Sequence, residues 1–171
     1  IMERINKIFK HELFVENLSK IKKYEKDRIF CRHGIEHLLD VARIGCIYLA
    51  EYKLQNGHVL SDIIDEYIYA AALLHDLGRA EQYEKGIPHE QTGAVLARTI
   101  LLDCDFDEKE ADIISRAILQ HSHGQSDITR KGGCLADILY KADKASRCCF
   151  SCDAYAMCKW SEEEKNKDII I

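Results

Sequence analysis

Apolar residues recur at intervals of three and four along nearly the whole chain, and this spacing is the period of the α-helix. One proline and nine glycines among 171 residues leave few positions at which a helix must stop. We find no segment of alternating polar and apolar residues that would predict a β-strand, and no internal repeat. Hydrophobic residues make up 47% of the chain, which is enough to bury a core. The pattern predicts a single all-α domain built as a helical bundle.

Six main helices are predicted from this periodicity. They span residues 2–22, 35–52, a third segment from Ser61 or Asp62 into His75 and Asp76, then 89–102, 108–120 and 134–146. Pro88 suits the first turn of the fourth helix, and Asp107 with Glu110 has the spacing of a capping box before the fifth. Segments 81–87 and 121–133 are predicted loops. The domain is expected to cover residues 1–171, with a core at about 30–147, an N-terminal helix at 2–22 and a cysteine-rich tail at 148–171.

The charge balance narrows the classes of partner. A net charge of −5 gives no basic surface for nucleic acid or for an anionic membrane. No apolar stretch approaches the roughly 20 residues that a bilayer span needs. The first residues, "MERINKIFKHELF", mix charged and apolar positions at helical spacing, unlike a signal peptide. We expect a cytoplasmic location and no nucleic-acid or membrane partner.

Ionisable residues interrupt the apolar pattern where it predicts core. The segment "AALLHDLGR" places His75 and Asp76 at the end of an apolar run, and Gly78 would let the chain turn away there. Asp143 lies beside the apolar stripe of the last helix. A buried carboxylate must pair, protonate or bind a metal, and for one aspartate alone a salt bridge is the simpler interpretation.

Histidines on other predicted helices favour a metal. They are His37, His89 and His121. Imidazole and carboxylate together suit zinc, iron, manganese or nickel better than calcium. Helix bundles build such sites from facing side chains. The sequence therefore predicts a metal site to which five helices contribute.

These residues resemble the HD superfamily of metal-dependent phosphohydrolases. The superfamily pattern H…HD…D is matched by His37, His75 with Asp76, and Asp143. The contexts "HGIEHLLDVAR", "AALLHDLGR" and "LYKADKASR" resemble the segments that flank the ligands in that family. The resemblance covers about residues 30–147, and the chain closely resembles the small bacterial HD proteins of the diadenosine tetraphosphate hydrolase type. It implies an HD-domain helical bundle.

The resemblance implies two divalent ions, from Fe, Mn, Zn, Ni or Mg, and a set of ligands. The implied metal ligands are His37, His75, Asp76, His89, His121 and Asp143. Asp76 would bridge the two ions. His33, one helical turn before His37, is an alternative first ligand or a partner of the ligands. Of the pair His121 and His123, we favour His121 as the ligand and assign His123 to the substrate. Asp40 stands where many relatives carry arginine.

The implied activity is hydrolysis of a phosphorylated small molecule, a nucleotide or dinucleoside polyphosphate, by a metal-activated hydroxide. The catalytic residues would be Asp76, His123 as general acid, and Lys144. Candidates to hold phosphate are Arg79, Lys141, Lys144 and Arg147. The alternative for each of them is that it is simply an exposed charged side chain on a helix. Two alternatives stay open: a di-iron oxygenase of HD fold, and a non-catalytic regulator that binds nucleotide or metal. The oligomeric state is open as well, with a homodimer as one option.

Eight cysteines form a second pattern. In a reducing compartment they are more readily thiols or metal ligands than disulfides. Cys149, Cys152 and Cys158 have the spacing of zinc or iron–sulfur ligands. A complete structural metal site would need a fourth thiolate, from Cys31 or Cys148. The alternative is that these small residues pack the end of the last helix.

Overall fold

A computed structural model describes residues 2–56, 63–123 and 133–170, with the side chains of Asn56, His123 and Cys134 outside the description. The described part is all helical and contains no strand. Eight α-helices follow one another: α1 (Glu3–Lys10), α2 (Glu12–Tyr24), α3 (Ile35–Asn56), α4 (Asp65–Leu74), α5 (Arg79–Lys85), α6 (His89–Asp103), α7 (Glu108–Gln120) and α8 (Gly133–Ala145). Short 3₁₀ turns follow at His121–His123, Cys149–Ser151 and Tyr155–Met157. The predicted all-α bundle is confirmed.

Helix α4 occupies the centre of the bundle and contacts α1, α3, α6, α7 and α8. Its sequence explains this position, because the run from Ala70 to Leu74 is apolar on every face and fully buried. Gly45 on α3 allows that helix to approach closely, since a Cβ there would lie 2.6 Å from Ile68. The end of α4 therefore delivers His75 and Asp76 into the interior.

The single N-terminal helix predicted at 2–22 is wrong. The chain forms two helices, and His11 between them has an extended backbone with φ −67° and ψ 133°. The Nδ1 atom of His11 accepts a hydrogen bond from the Leu13 N–H at 3.2 Å, so the histidine caps α2. The helical spacing of apolar residues continues on both sides of His11, and Ile8 and Phe14 are both buried. The break between the two helices therefore cannot be predicted from that spacing.

The loop predicted at 81–87 is also wrong in its first five residues, which belong to α5. This helix follows Gly78 and ends at Gly86, whose φ of +73° is left-handed. An ion pair between Glu81 and Lys85, with 2.7 Å between nitrogen and oxygen, supports one turn of it. Because α5 is short and mostly polar, its sequence resembles that of a loop.

Other helix boundaries differ by smaller amounts. Helix α3 continues to Asn56, four residues beyond the predicted end at Tyr52. Helix α4 begins at Asp65, and the proposed caps Ser61 and Asp62 lie outside the described residues. Pro88 precedes α6 rather than lying in its first turn.

The two last predicted helices, α7 and α8, match the structure closely. Asp107 caps α7 by accepting the N–H groups of Lys109 and Glu110, at 2.8 and 2.9 Å. The Glu110 carboxylate accepts the Asp107 N–H in return, which completes the predicted capping box. Helix α8 begins one residue before its predicted start and ends one residue before its predicted end.

The chain after α8 packs back against the end of that helix. The side-chain amide of Asn166, which is buried, donates hydrogen bonds to the carbonyls of Lys144 and Arg147 at 2.8 Å and of Ala145 at 3.3 Å. The Lys144 carbonyl also accepts the Arg147 N–H at 3.4 Å. The last carbonyls of a helix lack partners within it, and the Asn166 amide supplies donors there. The tail is thereby held near the helix that carries Asp143. Over the described residues, none of the helices is both long and apolar enough to cross a bilayer.

Candidate metal centre

Five parts of the fold bring ionisable side chains to one place. They are His37 on α3, His75 and Asp76 in the turn after α4, His89 at the start of α6, His121 in the turn after α7, and Asp143 on α8. His75 and Asp76 are almost completely buried, at 0% and 1% exposure. The residues that the sequence singled out as ligands therefore converge in space.

Two overlapping groups have the spacing to hold an ion. The ligand atoms of His37, His75 and Asp143 all lie within 4.8 Å of one another, and so do those of His75, Asp76 and His121. In the first group the Asp143 Oδ1 atom is 3.4 Å from the His37 Nε2 atom and 3.9 Å from the His75 Nε2 atom. His75 belongs to both groups, so the two positions are adjacent.

Asp76 lies between these histidines and presents a different oxygen to each side. Its Oδ2 atom is 3.3 Å from the His75 Nε2 atom and 3.5 Å from the His37 Nε2 atom. Its Oδ1 atom is 3.5 Å from the His89 Nε2 atom. The His89 and His121 rings are 5.4 Å apart between centroids. This arrangement suits a carboxylate that serves two neighbouring ions.

Backbone hydrogen bonds fix the orientation of two rings. The Nδ1 atom of His75 is 2.8 Å from the Ala72 carbonyl oxygen, and that of His121 is 2.6 Å from the Ile118 carbonyl oxygen. A carbonyl can only accept, so each Nδ1 carries the proton and each Nε2 offers a lone pair to the site. Metal-binding histidines are commonly oriented in this way.

Several buried atoms at the centre lack a hydrogen-bond partner. Among them are Nε2 of His37, His75 and His89 and Oδ2 of Asp76. Leaving such groups buried and unsatisfied costs about 1–3 kcal/mol each. A divalent cation bound among them would remove that cost, and nitrogen with carboxylate ligands suits a transition metal. The residues therefore fit the metal ions that the sequence resemblance implies.

The charge states of these residues also suit ligation. Burial alone would raise the pKa of Asp76, but its interactions with His75, with the Arg79 guanidinium and with His37 hold it well below its usual range. Burial lowers the pKa of both His89 and His121 to about 4, which keeps these imidazoles neutral near pH 7. Metals bind neutral imidazole and ionised carboxylate, so these side chains need lose no proton to become ligands.

His37 differs from the other histidines in this respect. Burial lowers its pKa, but the Asp143 and Asp76 carboxylates, whose oxygens lie 3.4 and 3.5 Å from the His37 Nε2 atom, outweigh burial and raise that pKa to about 9. A raised pKa favours the protonated form of His37, so a metal ion bound there would have to displace that proton.

A cavity of about 720 Å³ opens beside the metal centre, with His37 and Asp143 in its wall. Its lining is rich in cations, namely Arg28, Arg32, Arg79, Lys144, Arg147, Lys159 and Lys165. The net charge of the whole chain is −5, so this concentration of positive charge is local. It is suited to an anionic small molecule.

Three of the four predicted phosphate-holding residues line this cavity, and Lys141 does not. Lys141 pairs with Asp137 on α8 at 2.8 Å, with its side chain largely exposed. Arg79 donates from Nε to the Asp76 Oδ1 atom at 2.7 Å. Lys144 is 3.1 Å from the Asp143 Oδ2 atom. Arg79 and Lys144 therefore touch the carboxylates of the metal centre.

Arg147 is the third of these residues and has an unused donor. Its side chain is 8% exposed, and its Nη2 atom is buried without a hydrogen-bond partner. The guanidinium lies 4.2 Å from the centroid of the Trp160 ring. Of the remaining candidates, the side chain of His123 lies outside the described residues, and Asp40 lines the cavity near Arg43.

Sequence reasoning missed Glu25 and Tyr83, which hold His33 beside the centre. The buried Glu25 carboxylate accepts the His33 backbone N–H at 2.7 Å and lies 2.5 Å from its Nδ1 atom. Tyr83 donates its hydroxyl to the same carboxylate at 2.5 Å. The His33 Nε2 atom is left 4.0 Å from the Asp76 Oδ2 atom. His33 is thus a neighbour of the ligands and belongs to neither group spaced for an ion.

Replacing Glu25 by glutamine is expected to change how stability depends on pH. Burial raises the pKa of Glu25, but hydrogen bonds from His33 and Tyr83 outweigh it and lower that pKa to about 2. A lowered pKa adds stability above the unfolded-state value of about 4.5, and this stability is lost as the pH falls towards 2. The advantage of wild type over Glu25→Gln should shrink by about 2 kcal/mol between about pH 6 and about pH 3.

Urea unfolding across this pH range measures the effect. Tyr83→Phe removes one hydrogen bond to the same carboxylate and should cost about 1–2 kcal/mol, with a weaker pH dependence than Glu25→Gln. Stability curves for Glu25→Gln and wild type that run parallel over the whole range would contradict this account of Glu25.

The cysteines whose side chains the structure describes do not form a preformed single-ion site. Those whose side chains are described, including Cys149, Cys152 and Cys158, are free thiols. No three of them have sulfurs within 4.8 Å of one another. The sulfur atoms of these three residues are therefore too far apart to hold the single structural ion that the sequence predicts, although all three residues line the cavity.

Comparison with known proteins identifies the family to which this fold and its histidine–aspartate site belong. The HD domain model matches residues 34–148, which include His37, His75, Asp76, His89, His121 and Asp143. An uncharacterized protein of Clostridium beijerinckii is 38% identical over 165 residues, which cover 96% of this chain and 97% of that protein. The crystal structure of a predicted HD superfamily hydrolase from an uncultured Thermotogales bacterium has a similar fold, with a TM-score of 0.62 and 22% identity over 90% of this chain and 79% of that one. The chain belongs to the HD domain family.

Proposed function

We propose that the protein is a metal-dependent phosphohydrolase that acts on a nucleotide or a dinucleoside polyphosphate. The proposal rests on one observation. A buried histidine–aspartate centre adjoins a cavity that is lined by arginine and lysine. The centre suits divalent cations, and the cavity suits phosphate groups. The fold is shared with a protein described as a predicted HD superfamily hydrolase, which agrees with the hydrolytic part of the proposal.

The ligands divide between two positions. His37, His75 and Asp143 would hold one ion, and His121 with His89 would hold the other. Asp76 would contact both through its two oxygens. Two divalent ions at such a site supply a water of lowered pKa and neutralise the charge of the phosphoryl oxygens.

The chain itself provides orientation and positive charge. Arg79 donates to the Asp76 Oδ1 atom and so holds that carboxylate in position. Lys144, next to Asp143, lies at the edge of the cavity and is proposed to contact the phosphoryl group. His123 is proposed to donate a proton to the leaving oxygen, since imidazole titrates near neutrality.

The size and lining of the cavity support a nucleotide as the substrate. Its volume of about 720 Å³ is typical of pockets for small molecules. Tyr155 and Trp160 line it together with the cations. An aromatic ring offers a stacking surface for a base, and arginine forms bidentate hydrogen bonds with phosphate.

Arg147→Gln is expected to raise the KM for a phosphorylated substrate about tenfold or more. The reason is the unpartnered, buried Nη2 donor, which is available to a phosphate oxygen. A hydrogen bond to a charged group contributes about 1.5–3 kcal/mol, which corresponds to a factor of ten to a hundred. Steady-state kinetics with a nucleoside polyphosphate measures it.

Lys159→Gln is the matched control for this variant. Lys159 also lines the cavity and lies 5.2 Å from the centroid of the same Trp160 ring, but it is exposed. Its loss should change KM by less than about threefold. Equal KM values for the two variants would remove Arg147 from the substrate site.

Metal analysis followed by a phosphate-release screen tests the proposed function. The protein is purified without chelators, its metals are quantified, and mononucleotides, dinucleotides and dinucleoside polyphosphates are supplied with each of the candidate ions. Release of phosphate or nucleotide that requires metal is the expected result. Oxygen consumption without hydrolysis would instead indicate a di-iron oxygenase. Nucleotide binding without release over hours would indicate a regulator.

A further inference from the structure

We propose that Cys31, Cys149, Cys152 and Cys158 hold a second metal centre through four thiolates, apart from the histidine–aspartate site. These residues come from two segments separated by more than a hundred positions in the sequence. One segment leads into α3, and the other follows α8. All four line one cavity.

Electrostatic contacts show that these four thiols are neighbours. Partial burial of its sulfur raises the pKa of Cys31, and the thiols of Cys149, Cys158 and Cys152 raise it further. Cys148 also lines the cavity, but its Sγ atom donates to the Ser146 carbonyl at 3.9 Å. We therefore infer that Cys31, rather than Cys148, is the fourth thiol.

The backbone around the tail cysteines is built of tight turns. The Cys152 N–H donates to the Cys149 carbonyl at 3.1 Å, which closes the Cys-x-x-Cys turn. The Cys158 N–H donates to the Tyr155 carbonyl at 3.3 Å in a second turn. At the other segment, the Arg28 Nε atom donates to the Cys31 carbonyl at 2.7 Å. Each cysteine is therefore placed by a local hydrogen bond rather than by side-chain packing alone.

Positively charged side chains lie close to the thiols. Arg147 lowers the pKa of Cys31 against the other influences on it. Lys159 and Lys165 line the same cavity. Four thiolates carry a large negative charge even when they bind a metal, so nearby cations stabilise the centre.

The spacing indicates which kind of centre fits. A tetrahedral zinc ion with Zn–S bonds of about 2.3 Å brings its thiolates to about 3.8 Å from one another. In the described part of the chain, no three thiols lie within 4.8 Å. An iron–sulfur cluster places its own iron and sulfide atoms between the thiolates and so keeps them further apart. The arrangement suits a four-cysteine iron–sulfur cluster better than a single zinc ion.

Such a centre would fasten the tail to the segment that precedes α3. Cys31 is two residues from His33, and the tail reaches α8 through Asn166. A shared metal would therefore join the two helices that carry His37 and Asp143 at the mouth of the cavity. This inference does not depend on the proposed hydrolysis.

Anaerobic purification with analysis of iron, acid-labile sulfide and zinc tests the proposal. Asp76→Asn serves as the parent, so that ions of the histidine–aspartate site contribute little to the totals. The expected result is iron and sulfide in equal amounts, about four of each per chain for a cubane cluster, with visible absorption. Cys31→Ser and Cys149→Ser in this parent should each lose most of that content while circular dichroism shows an unchanged helical fold.

Cys148→Ser is the matched control and should keep the metal. One zinc per chain that is lost in Cys31→Ser and Cys149→Ser, but kept in Cys148→Ser, would also support the four-thiolate centre and would assign a single ion to it. The proposal is overturned if Cys31→Ser keeps the full metal content. It is equally overturned if the parent binds neither iron with sulfide nor zinc after supplementation. Since Cys31 is exposed, its replacement is not expected to unfold the chain.

Discussion

Replacing Asp76 by asparagine is expected to lower the proposed metal-dependent hydrolysis by about a thousandfold or more. The two oxygens of Asp76 face His37 and His75 on one side and His89 on the other. An amide keeps the shape of the side chain but loses its negative charge and one acceptor oxygen. Metal ions contribute several kcal/mol to stabilisation of a phosphoryl-transfer transition state, and about 4 kcal/mol corresponds to a thousandfold in rate.

The measurement combines metal content, helicity and initial rate of phosphate release. Asp76→Asn, or the harsher His75→Ala, should lose bound metal and keep its helical circular dichroism. Asp40→Asn is the matched control, because Asp40 is a carboxylate on the wall of the same cavity that contacts Arg43 rather than the histidines. Full activity in Asp76→Asn would remove the proposed site. Equal losses in Asp76→Asn and Asp40→Asn would show that only general charge in the cavity matters.

Gly78→Ala is expected to destabilise the fold by about 3 kcal/mol or more. A Cβ at this position would lie 2.0 Å from the His89 carbonyl oxygen and 2.6 Å from the Gly93 nitrogen. Both atoms belong to the backbone of α6, so they cannot move aside as a flexible side chain would. The φ of Gly78 is −64°, so its role is close approach and not the freedom to turn that its sequence suggests. For a chain of this size the expected fall in Tm is about 6–12 °C.

Thermal unfolding of metal-free protein measures this effect without a contribution from bound ions. Gly93→Ala is the control on the other side of the same contact. Its Cβ would meet the His75 carbonyl oxygen at 3.3 Å, which is tight, while alanine is favoured over glycine in a helix by about 1 kcal/mol. The two effects oppose each other, so Gly93→Ala should stay within about 1 kcal/mol of wild type. A Gly78→Ala protein as stable as Gly93→Ala would contradict the close approach of Gly78 to the start of α6.

Much of the centre could be predicted from the sequence, because its ligands break the apolar pattern. His75 and Asp76 follow a run of buried alanine and leucine, and Asp143 interrupts the stripe of α8. Such positions stand out, since ionisable groups in a core need a reason to be there. The capping box of Asp107 and Glu110 could be predicted equally well, because its two partners are only three residues apart.

The features that were missed depend on contacts between distant residues. Glu25 lies in a charged segment where nothing marks it as buried, and its partners are His33 and Tyr83. The break at His11 leaves the apolar period undisturbed on both sides. The need for glycine at Gly78 comes from α6, which begins eleven residues later. Neither periodicity nor local spacing carries information of this kind.

The hydrogen bonds from the Asn166 side chain to the end of α8 have a consequence for folding during synthesis. A helix normally has its terminal carbonyls satisfied by residues next to it, often a glycine. Here the residue that does so is 19 positions beyond Arg147, the nearest of the three carbonyl-bearing residues. During synthesis on the ribosome, the carbonyls at the end of α8 therefore lack the Asn166 donor at first. They gain it only when about twenty further residues have left the exit tunnel. The end of α8 that carries Asp143 thus depends on residues well beyond the helix itself.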